Sequence, residues 1–193
     1  MKNDRYEIRL SGSGGQGLIL AGIILAEAAS ILEGRNAVQT QSYGPESRGG
    51  ASKSEVVISS EEIDYPKVTS PDLLLVMTQE ACDKYIGDIK KDGIAVLDTS
   101  LIERMPDNGG HYYGIPITQI AKETVGKAIT ANIVALGVLT AITSVVGRES
   151  LEKAVLARVP KGTEEINRKA LEAGFAAGDS ALTHHESRIT SQP

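Results

Sequence analysis

Seven residues near the start of the chain, SGSGGQG from Ser11 to Gly17, include four glycines and no proline. Gly12, Gly14 and Gly17 fit the pattern G-x-G-x-x-G, between a strand-like run and an apolar run. Glycine allows positive φ angles and leaves main-chain N–H groups exposed, so such a loop before a helix can bind a phosphate or pyrophosphate. The alternative is a tight turn that needs glycine only for packing.

Two features separate this loop from an ordinary nicotinamide dinucleotide site. That site needs a carboxylate near the end of the second strand, and Val38–Ser42 contains none, while Glu33 comes too early. The additional Gly15 and the amide of Gln16 also differ from the usual small or apolar residues. We expect Gln16 to place a polar amide at the mouth of the loop.

A second unusual stretch is SYGPESRGG, from Ser42 to Gly50. Its glycines and proline restrict the backbone, and rigidly held loops often carry function. Arg48 could bind a phosphate or carboxylate through two hydrogen bonds, or pair with Glu46 at the surface. The candidate binding residues of this stretch are Tyr43, Gly44, Arg48, Gly49 and Gly50.

The ends of several predicted strands carry polar residues that should meet at one edge of the sheet, where open α/β folds bind ligands. These residues are Ser11, Ser42, Thr78–Gln79 and Asp98–Thr99. The alternative is structural: Asp98 would cap the following turn and Gln79 the following helix.

A self-sufficient catalytic set is not evident in the sequence. His111, His184 and His185 do not have the spacing of metal ligands, and neither G-x-S-x-G nor H-E-x-x-H occurs. Cys82 near a helix start could have a lowered pKa, although a lone cysteine more often packs in the core.

The composition and hydrophobic pattern predict one domain of the α/β class, with helices covering the sheet. The C-terminal half is expected to be helical, and residues 183–193 to form a disordered tail. Predicted strands cover 6–11, 36–42, 51–59, 72–78, 93–98 and 111–115. Predicted helices cover 15–33, 80–90, 117–125, 132–146, 149–158 and 163–182. The polar first half of the third strand suggests a sheet edge or an interface, and Gly34 should end the first helix.

Composition narrows the possible partners and locations. The net charge of −5 and the scarcity of aromatic residues make nucleic acid an unexpected partner. The charged start lacks a signal-peptide core, and the apolar run 18–32 is shorter than the roughly 20 residues that span a bilayer. One cysteine can form neither an internal disulfide nor an iron–sulfur cluster. We therefore expect a cytoplasmic protein without membrane contact.

Taken together, several segments resemble the gamma subunit of 2-oxoacid:ferredoxin oxidoreductases. They are GSGGQG, SYGPESRGG, SKSEVVIS, EIDYPKV and TQEACDKY, and the resemblance extends from about Tyr6 to Gly178. Asn132, Gly137, Asn167 and Gly174 also fall where that family places Asn and Gly. The segment QTQSYGPESRGGASKSEVVIS is most similar to the 2-oxoglutarate branch of that family.

This resemblance implies a three-layer α/β/α domain over residues 1–182, Rossmann-like, with a mostly parallel, mixed sheet. It would be equivalent to one domain of the single-chain pyruvate enzymes and would work with alpha, beta and ferredoxin-like delta subunits. Such an assembly decarboxylates a 2-oxoacid oxidatively with coenzyme A and reduces ferredoxin. Thiamine diphosphate and magnesium would belong to the alpha and beta subunits, and iron–sulfur clusters to delta. The gamma chain would be inactive alone, with its glycine loop close to the coenzyme A diphosphate or to a partner's backbone. Gln16, Gln41 and Arg48 would then contribute orientation.

Two other interpretations stay open from the sequence. The glycine pattern alone would also suit a free-standing protein that binds NAD or NADP. The chain could otherwise be an assembly scaffold whose glycines pack closely against partner strands.

Overall fold

The computed structural model of the protein describes residues 4–42, 51–107 and 110–190. Within these residues six strands form one sheet in the order β2-β3-β1-β4-β5-β6. The strands are β1 (Tyr6–Ser13), β2 (Asn36–Ser42), β3 (Ala51–Ser59), β4 (Leu73–Val76), β5 (Ile94–Asp98) and β6 (His111–Ile115). β1, β4, β5 and β6 are mutually parallel, and β3 is antiparallel to both β1 and β2. The mixed, mostly parallel sheet expected from the sequence is thus confirmed.

Helices cover both faces of the sheet, which confirms the three-layer α/β/α class. They are α1 (Leu18–Glu27), α2 (Gln79–Tyr85), α3 (Ile117–Ile120), α4 (Ala131–Thr143), α5 (Arg148–Arg158) and α6 (Glu164–Thr190). All except α2 pack on the face formed by side chains such as Ile8, Leu10 and Leu75. α2 packs on the opposite face, against Leu74 and Leu97.

The third strand lies inside the sheet, so the first of the two alternatives, a sheet edge, was wrong, and the second, an interface, stays a prediction. β3 lies between β2 and β1, and β2 is the edge. Its polar first half is accommodated by charge pairing: Arg9 Nε of β1 donates to Glu55 Oε1 at 2.7 Å, and Lys53 Nζ donates to the same oxygen at 2.8 Å. A buried carboxylate is tolerated when cations and hydrogen bonds surround it.

The first helix begins later than its sequence suggests. β1 continues to Ser13, and α1 begins at Leu18 after a turn whose last residue, Gly17, has no side-chain cap. Six residues of α1 are buried, which explains its nearly continuous apolar sequence. A π-helical turn, Ala28–Leu32, extends the helix, and Gly34 follows with a φ of 67°, as predicted.

Helices α4 and α6 form the centre of the C-terminal half. All residues of α4 from Ala131 to Ile142 are buried, in agreement with its predicted central position. α6 ends at Thr190, eight residues beyond the predicted end at Leu182. The single-domain boundary at residue 182 and the disordered tail remain predictions.

Candidate functional site

The carboxyl ends of the strands lie along one edge of the sheet. Ser13 at the end of β1 pairs with Ala51 at the start of β3, and Ser42 at the end of β2 pairs with Lys53. β4 and β5 run parallel to β1 and end at the same edge. The predicted meeting of the ends near Ser11, Ser42, Thr78–Gln79 and Asp98–Thr99 is therefore confirmed.

At this edge a turn of four residues, Gly14 to Gly17, joins β1 to α1. We call these four residues the glycine turn. It is shorter than the predicted loop, because Gly12 is a buried strand residue paired with Ser52 of β3. Gly15 and Gly17 have φ angles of 88° and 72°, which residues with a Cβ adopt at a cost.

Gly14 and Gly15 form the open part of the glycine turn. Both are exposed, and a Cβ built on either would have no atom of the described residues within 4 Å. Among the described residues, none accepts a hydrogen bond from the main-chain N–H of Gly14 or Gly15. Because α1 begins three residues after Gly15, the positive end of the helix dipole also lies here. This arrangement suits an anionic group.

Gly12 and Gly17, by contrast, lie against amide side chains of the chain itself. A Cβ on Gly12 would lie 2.2 Å from Gln16 Oε1, and one on Gly17 would lie 2.5 Å from Asn132 Nδ2. The Gln16 amide is bonded within the chain, since it accepts from Ser13 N at 2.7 Å and donates to Met77 O at 3.2 Å. Both hydrogen bonds of this amide thus lie within the chain, and a contact between Gln16 and a ligand stays a prediction.

The second set of predicted binding residues lies outside the described residues. This set is Tyr43, Gly44, Arg48, Gly49 and Gly50. The residues that flank this segment, Ser42 and Ala51, are described and lie at the carboxyl edge. Ala51 pairs with Ser13, the residue before the glycine turn.

Beside the glycine turn lies a largely apolar cleft of about 360 Å³ that the sequence did not reveal. Gly15 and Gly17 form one wall, the start of α4 another, and the α5–α6 connection a third. Its side chains include Leu20, Ile129, Ile133, Val159, Ile166 and Asn167. Ile129 at this cleft is 81% exposed. Asn132 and Asn167 were recognised in the sequence only through the family resemblance.

The polar residues at the ends of β4 and β5 have structural partners. Thr78 Oγ1 caps α2 by accepting from Ala81 N at 3.3 Å, so the prediction that Gln79 caps this helix was wrong. Gln79 Oε1 instead accepts from the main-chain N–H groups of Glu103 and Arg104. Asp98 is buried and caps the following segments, accepting from Ser100 N at 3.0 Å and Thr118 N at 3.1 Å.

Candidate reactive groups in the described chain have environments that suit packing. Burial, with a smaller contribution from Asp83, raises the pKa of the Cys82 thiol, so the packing interpretation is confirmed. Burial also raises the pKa of Tyr6 to about 12. Within ranges 4–42, 51–107 and 110–190, no group of three His, Cys, Asp or Glu side chains could hold a metal ion. In the same ranges no helix is long and apolar enough to cross a membrane.

Comparison with known proteins agrees with the sequence resemblance. The family described as pyruvate ferredoxin/flavodoxin oxidoreductase matches residues 7–177. A 2-oxoglutarate synthase subunit KorC from Methanocaldococcus jannaschii is 56% identical over 173 residues, which cover 89% of this chain and 92% of the relative. The KorC subunit from Methanothermobacter marburgensis is 49% identical over 176 residues, covering 88% of this chain and 95% of the relative.

Solved structures show the same fold. The gamma subunit of a keto/oxoacid ferredoxin oxidoreductase from Geobacter sulfurreducens has a TM-score of 0.83 and 55% identity, covering 92% of this chain and 98% of that one. A 2-oxoglutarate:ferredoxin oxidoreductase from Magnetococcus marinus, solved with 2-oxoglutarate, coenzyme A and succinyl-CoA bound, has a TM-score of 0.82 and 25% identity. The match covers 93% of this chain but 32% of that longer chain.

This chain belongs to the pyruvate ferredoxin/flavodoxin oxidoreductase family. Within it the predicted resemblance to gamma subunits, and to the 2-oxoglutarate branch in particular, is confirmed by the relatives. The alternative of a free-standing dinucleotide-binding protein is not favoured. The second strand of this chain, β2 (Asn36–Ser42), carries no carboxylate that could bind the ribose of a dinucleotide.

Proposed function

We propose that this chain works as the gamma subunit of a 2-oxoglutarate:ferredoxin oxidoreductase that forms succinyl-CoA. The observation that carries this proposal is the 56% identity to a KorC subunit along nearly the full length of both chains. The activity would belong to the complex, because the chain by itself offers a binding edge without a catalytic set.

The redox and decarboxylation cofactors are assigned to partner chains. A sequence with a single cysteine, buried in the structure, cannot supply the thiolates of an iron–sulfur cluster. The described residues likewise offer no metal-binding cluster for the magnesium of thiamine diphosphate. We therefore assign thiamine diphosphate and magnesium to alpha and beta subunits, and the clusters to a ferredoxin-like delta subunit.

Coenzyme A is the ligand that we assign to the carboxyl edge of this chain. Main-chain N–H groups at Gly14 and Gly15 have no partner among the described residues, and the N-terminus of α1 adds positive potential. These features fit the coenzyme A diphosphate. Ser42 and Ala51, which flank the segment 43–50, lie at the same edge, and Arg48 of that segment would add a positive charge. When bound, coenzyme A supplies the thiol that receives the acyl group.

Reconstitution of the complex tests the proposed subunit role. The alpha, beta and delta chains encoded beside this one would be purified together, with and without it, and assayed for 2-oxoglutarate-dependent and coenzyme A-dependent reduction of ferredoxin. We expect activity only when this chain is present. Failure of the chain to associate with a thiamine-dependent pair would contradict the proposal.

A substitution in the segment 43–50 tests the contact with coenzyme A. In the assembled complex, Arg48→Gln should raise KM for coenzyme A several-fold while kcat changes little. Lys153→Gln is the control, because Lys153 on α5 is exposed and, among the residues that the structure describes, pairs only with Glu149 one turn earlier. Equal KM values for the two variants would place coenzyme A elsewhere, whereas dissociation of the Arg48→Gln complex would favour a scaffold.

A cytoplasmic location and the absence of nucleic-acid partners remain predictions from composition. Fractionation of the native host, with this chain followed by antibody, would test the location.

A further inference from the structure

The side chain of Gln16 lies beneath the glycine turn and joins two strands. Its Oε1 accepts from Ser13 N, at the end of β1, at 2.7 Å. Its Nε2 donates to the carbonyl of Met77, the residue after β4, at 3.2 Å. One amide thus connects the turn that contains it to the ends of two neighbouring parallel strands.

The absence of a side chain at Gly12 makes room for this amide. Gly12 belongs to β1, and a Cβ there would lie 2.2 Å from Gln16 Oε1. Any larger residue at position 12 would push the amide out of this place. The first glycine of the pattern is therefore explained by Gln16 and not by a ligand.

A second amide holds the other end of the turn. Asn132, a buried residue at the start of α4, donates from Nδ2 to Gly17 O at 3.2 Å. The same carbonyl accepts from Ala21 N at 3.0 Å in the first turn of α1. Between these two anchored points, only Gly14 and Gly15 face open space.

We propose that Gln16 is a positioning residue, which holds the glycine turn so that the N–H groups of Gly14 and Gly15 face an incoming anionic ligand. This inference rests on the proposed function, in which the anionic group is the diphosphate of coenzyme A. A turn fixed before binding loses less conformational entropy when the ligand arrives. Loss of the Gln16 bonds should therefore weaken coenzyme A binding and leave the chemistry on the partner chains unchanged.

The test compares two substitutions of Gln16 in the assembled complex. Gln16→Met keeps the length of the side chain but removes both hydrogen bonds, and Gln16→Glu keeps an acceptor for Ser13 N while losing the donor to Met77. We expect KM for coenzyme A to rise about tenfold for Gln16→Met, which is the factor that about 1.4 kcal/mol represents. The rise should be larger for Gln16→Glu, because its carboxylate lies against the Met77 carbonyl and repels an anionic ligand. For both, kcat should stay within about twofold, since Gln16 touches no reacting atom.

Amide hydrogen exchange supplies a readout that does not depend on coenzyme A. In the ligand-free complex, peptides covering residues 11–17 should exchange faster in Gln16→Met, because Ser13 N–H has lost its acceptor. Gln119→Met is the matched control, because Gln119 is exposed and its side-chain amide, in the described structure, forms a hydrogen bond only with Glu123. The control should change neither KM nor the exchange of residues 11–17.

The outcomes separate this inference from the proposed function. Unchanged exchange in Gln16→Met, or faster exchange with an unchanged KM, would overturn the positioning role. If Arg48→Gln still raised KM for coenzyme A, the coenzyme A assignment would stand although the positioning role of Gln16 was wrong. If no variant raised KM, both the assignment and the positioning role would be wrong. If Gln16→Met does not assemble, Gln16→Asn carries the same two measurements, because its shorter amide cannot reach both Ser13 N and Met77 O.

Discussion

Two groups of glycines lie in opposite surroundings in this protein. Where α4 crosses α6, a Cβ on Gly174 would lie 2.2 Å from Val134 O, and one on Gly137 would lie 2.5 Å from Leu171 O. In the glycine turn, a Cβ on Gly14 or Gly15 would meet nothing within 4 Å. The crossing needs glycine because main-chain atoms of one helix lie directly against the glycines of the other. Packing among the described residues gives no such reason for glycine at Gly14.

This contrast separates stability from binding. At the crossing, the closeness of the two helices buries α4 almost completely and sets the position of its N-terminus, where Asn132 meets the turn. In the turn, the open space is useful only if something outside the chain occupies it. Substitution of glycine by alanine should therefore mainly lower stability at the crossing of α4 and α6, and mainly lower ligand affinity in the glycine turn.

The largest loss of stability is expected for Gly174→Ala. The added methyl group would overlap a main-chain carbonyl of α4, so the two helices must separate and the surrounding core must repack. We expect the free energy of unfolding to fall by about 3 kcal/mol. Urea unfolding followed by far-UV circular dichroism would measure it, since the chain has no tryptophan. Gly87→Ala is the control, because its Cβ would meet nothing within 4 Å, and an equal loss there would contradict the packing argument.

A smaller but clear loss is expected for Gly17→Ala. The residue has a φ of 72°, and its Cβ would lie 2.5 Å from Asn132 Nδ2. Left-handed backbone costs about 1–2 kcal/mol with a side chain, and the Asn132 amide must also move. The double variant Gly17→Ala, Asn132→Ala would measure how much of the loss comes from moving the Asn132 amide. Additive losses in the two single variants would show that the amide and the turn are not coupled.

The ends of strands and helices could be predicted from the sequence where the contacts that fix them are local. β2, β3 and β6 were predicted with their observed ends, because glycine or proline flanks each of them in the sequence: Gly34 before β2, Gly50 before β3 and Pro116 after β6. The start of α1 was misplaced, because β1 continues through Gly12 and Ser13 only by pairing with Ser52 and Ala51 of β3. That pairing joins residues almost 40 positions apart and has no local signature.

The candidate site shows the same limit. The glycine pattern located the turn, but it could not show which glycines face solvent and which face the protein. That distinction required knowing that Met77 lies beside Ser11, with Met77 N donating to Ser11 O at 2.9 Å, and that Asn132 reaches Gly17. The apolar cleft was missed for the same reason, since its walls come from three distant segments.

Gly15→Ala should affect stability and binding together. Its φ of 88° makes alanine unfavourable by about 1 kcal/mol, with no clash to add to that cost. In the complex, a turn that relaxes from this conformation would present its N–H groups in another direction, so KM for coenzyme A should rise. Stability from urea unfolding and KM from steady-state assays would be compared on the same preparation. A stability loss with an unchanged KM would mean that the left-handed residue serves the fold alone.

Gly14→Ala gives the sharpest separation of the two groups. Gly14 has no positive φ, and its Cβ would stand in open space, so the free energy of unfolding should change by less than about 0.5 kcal/mol. If a diphosphate lies against this backbone, the methyl group would hold it away, and KM for coenzyme A should rise with kcat nearly constant. Gly87→Ala again serves as the control, because it is equally open but belongs to the short helical turn after α2, away from the carboxyl edge. A normal KM in Gly14→Ala would mean that the open space is not filled by coenzyme A, and the turn would then be better explained as a contact with a partner chain.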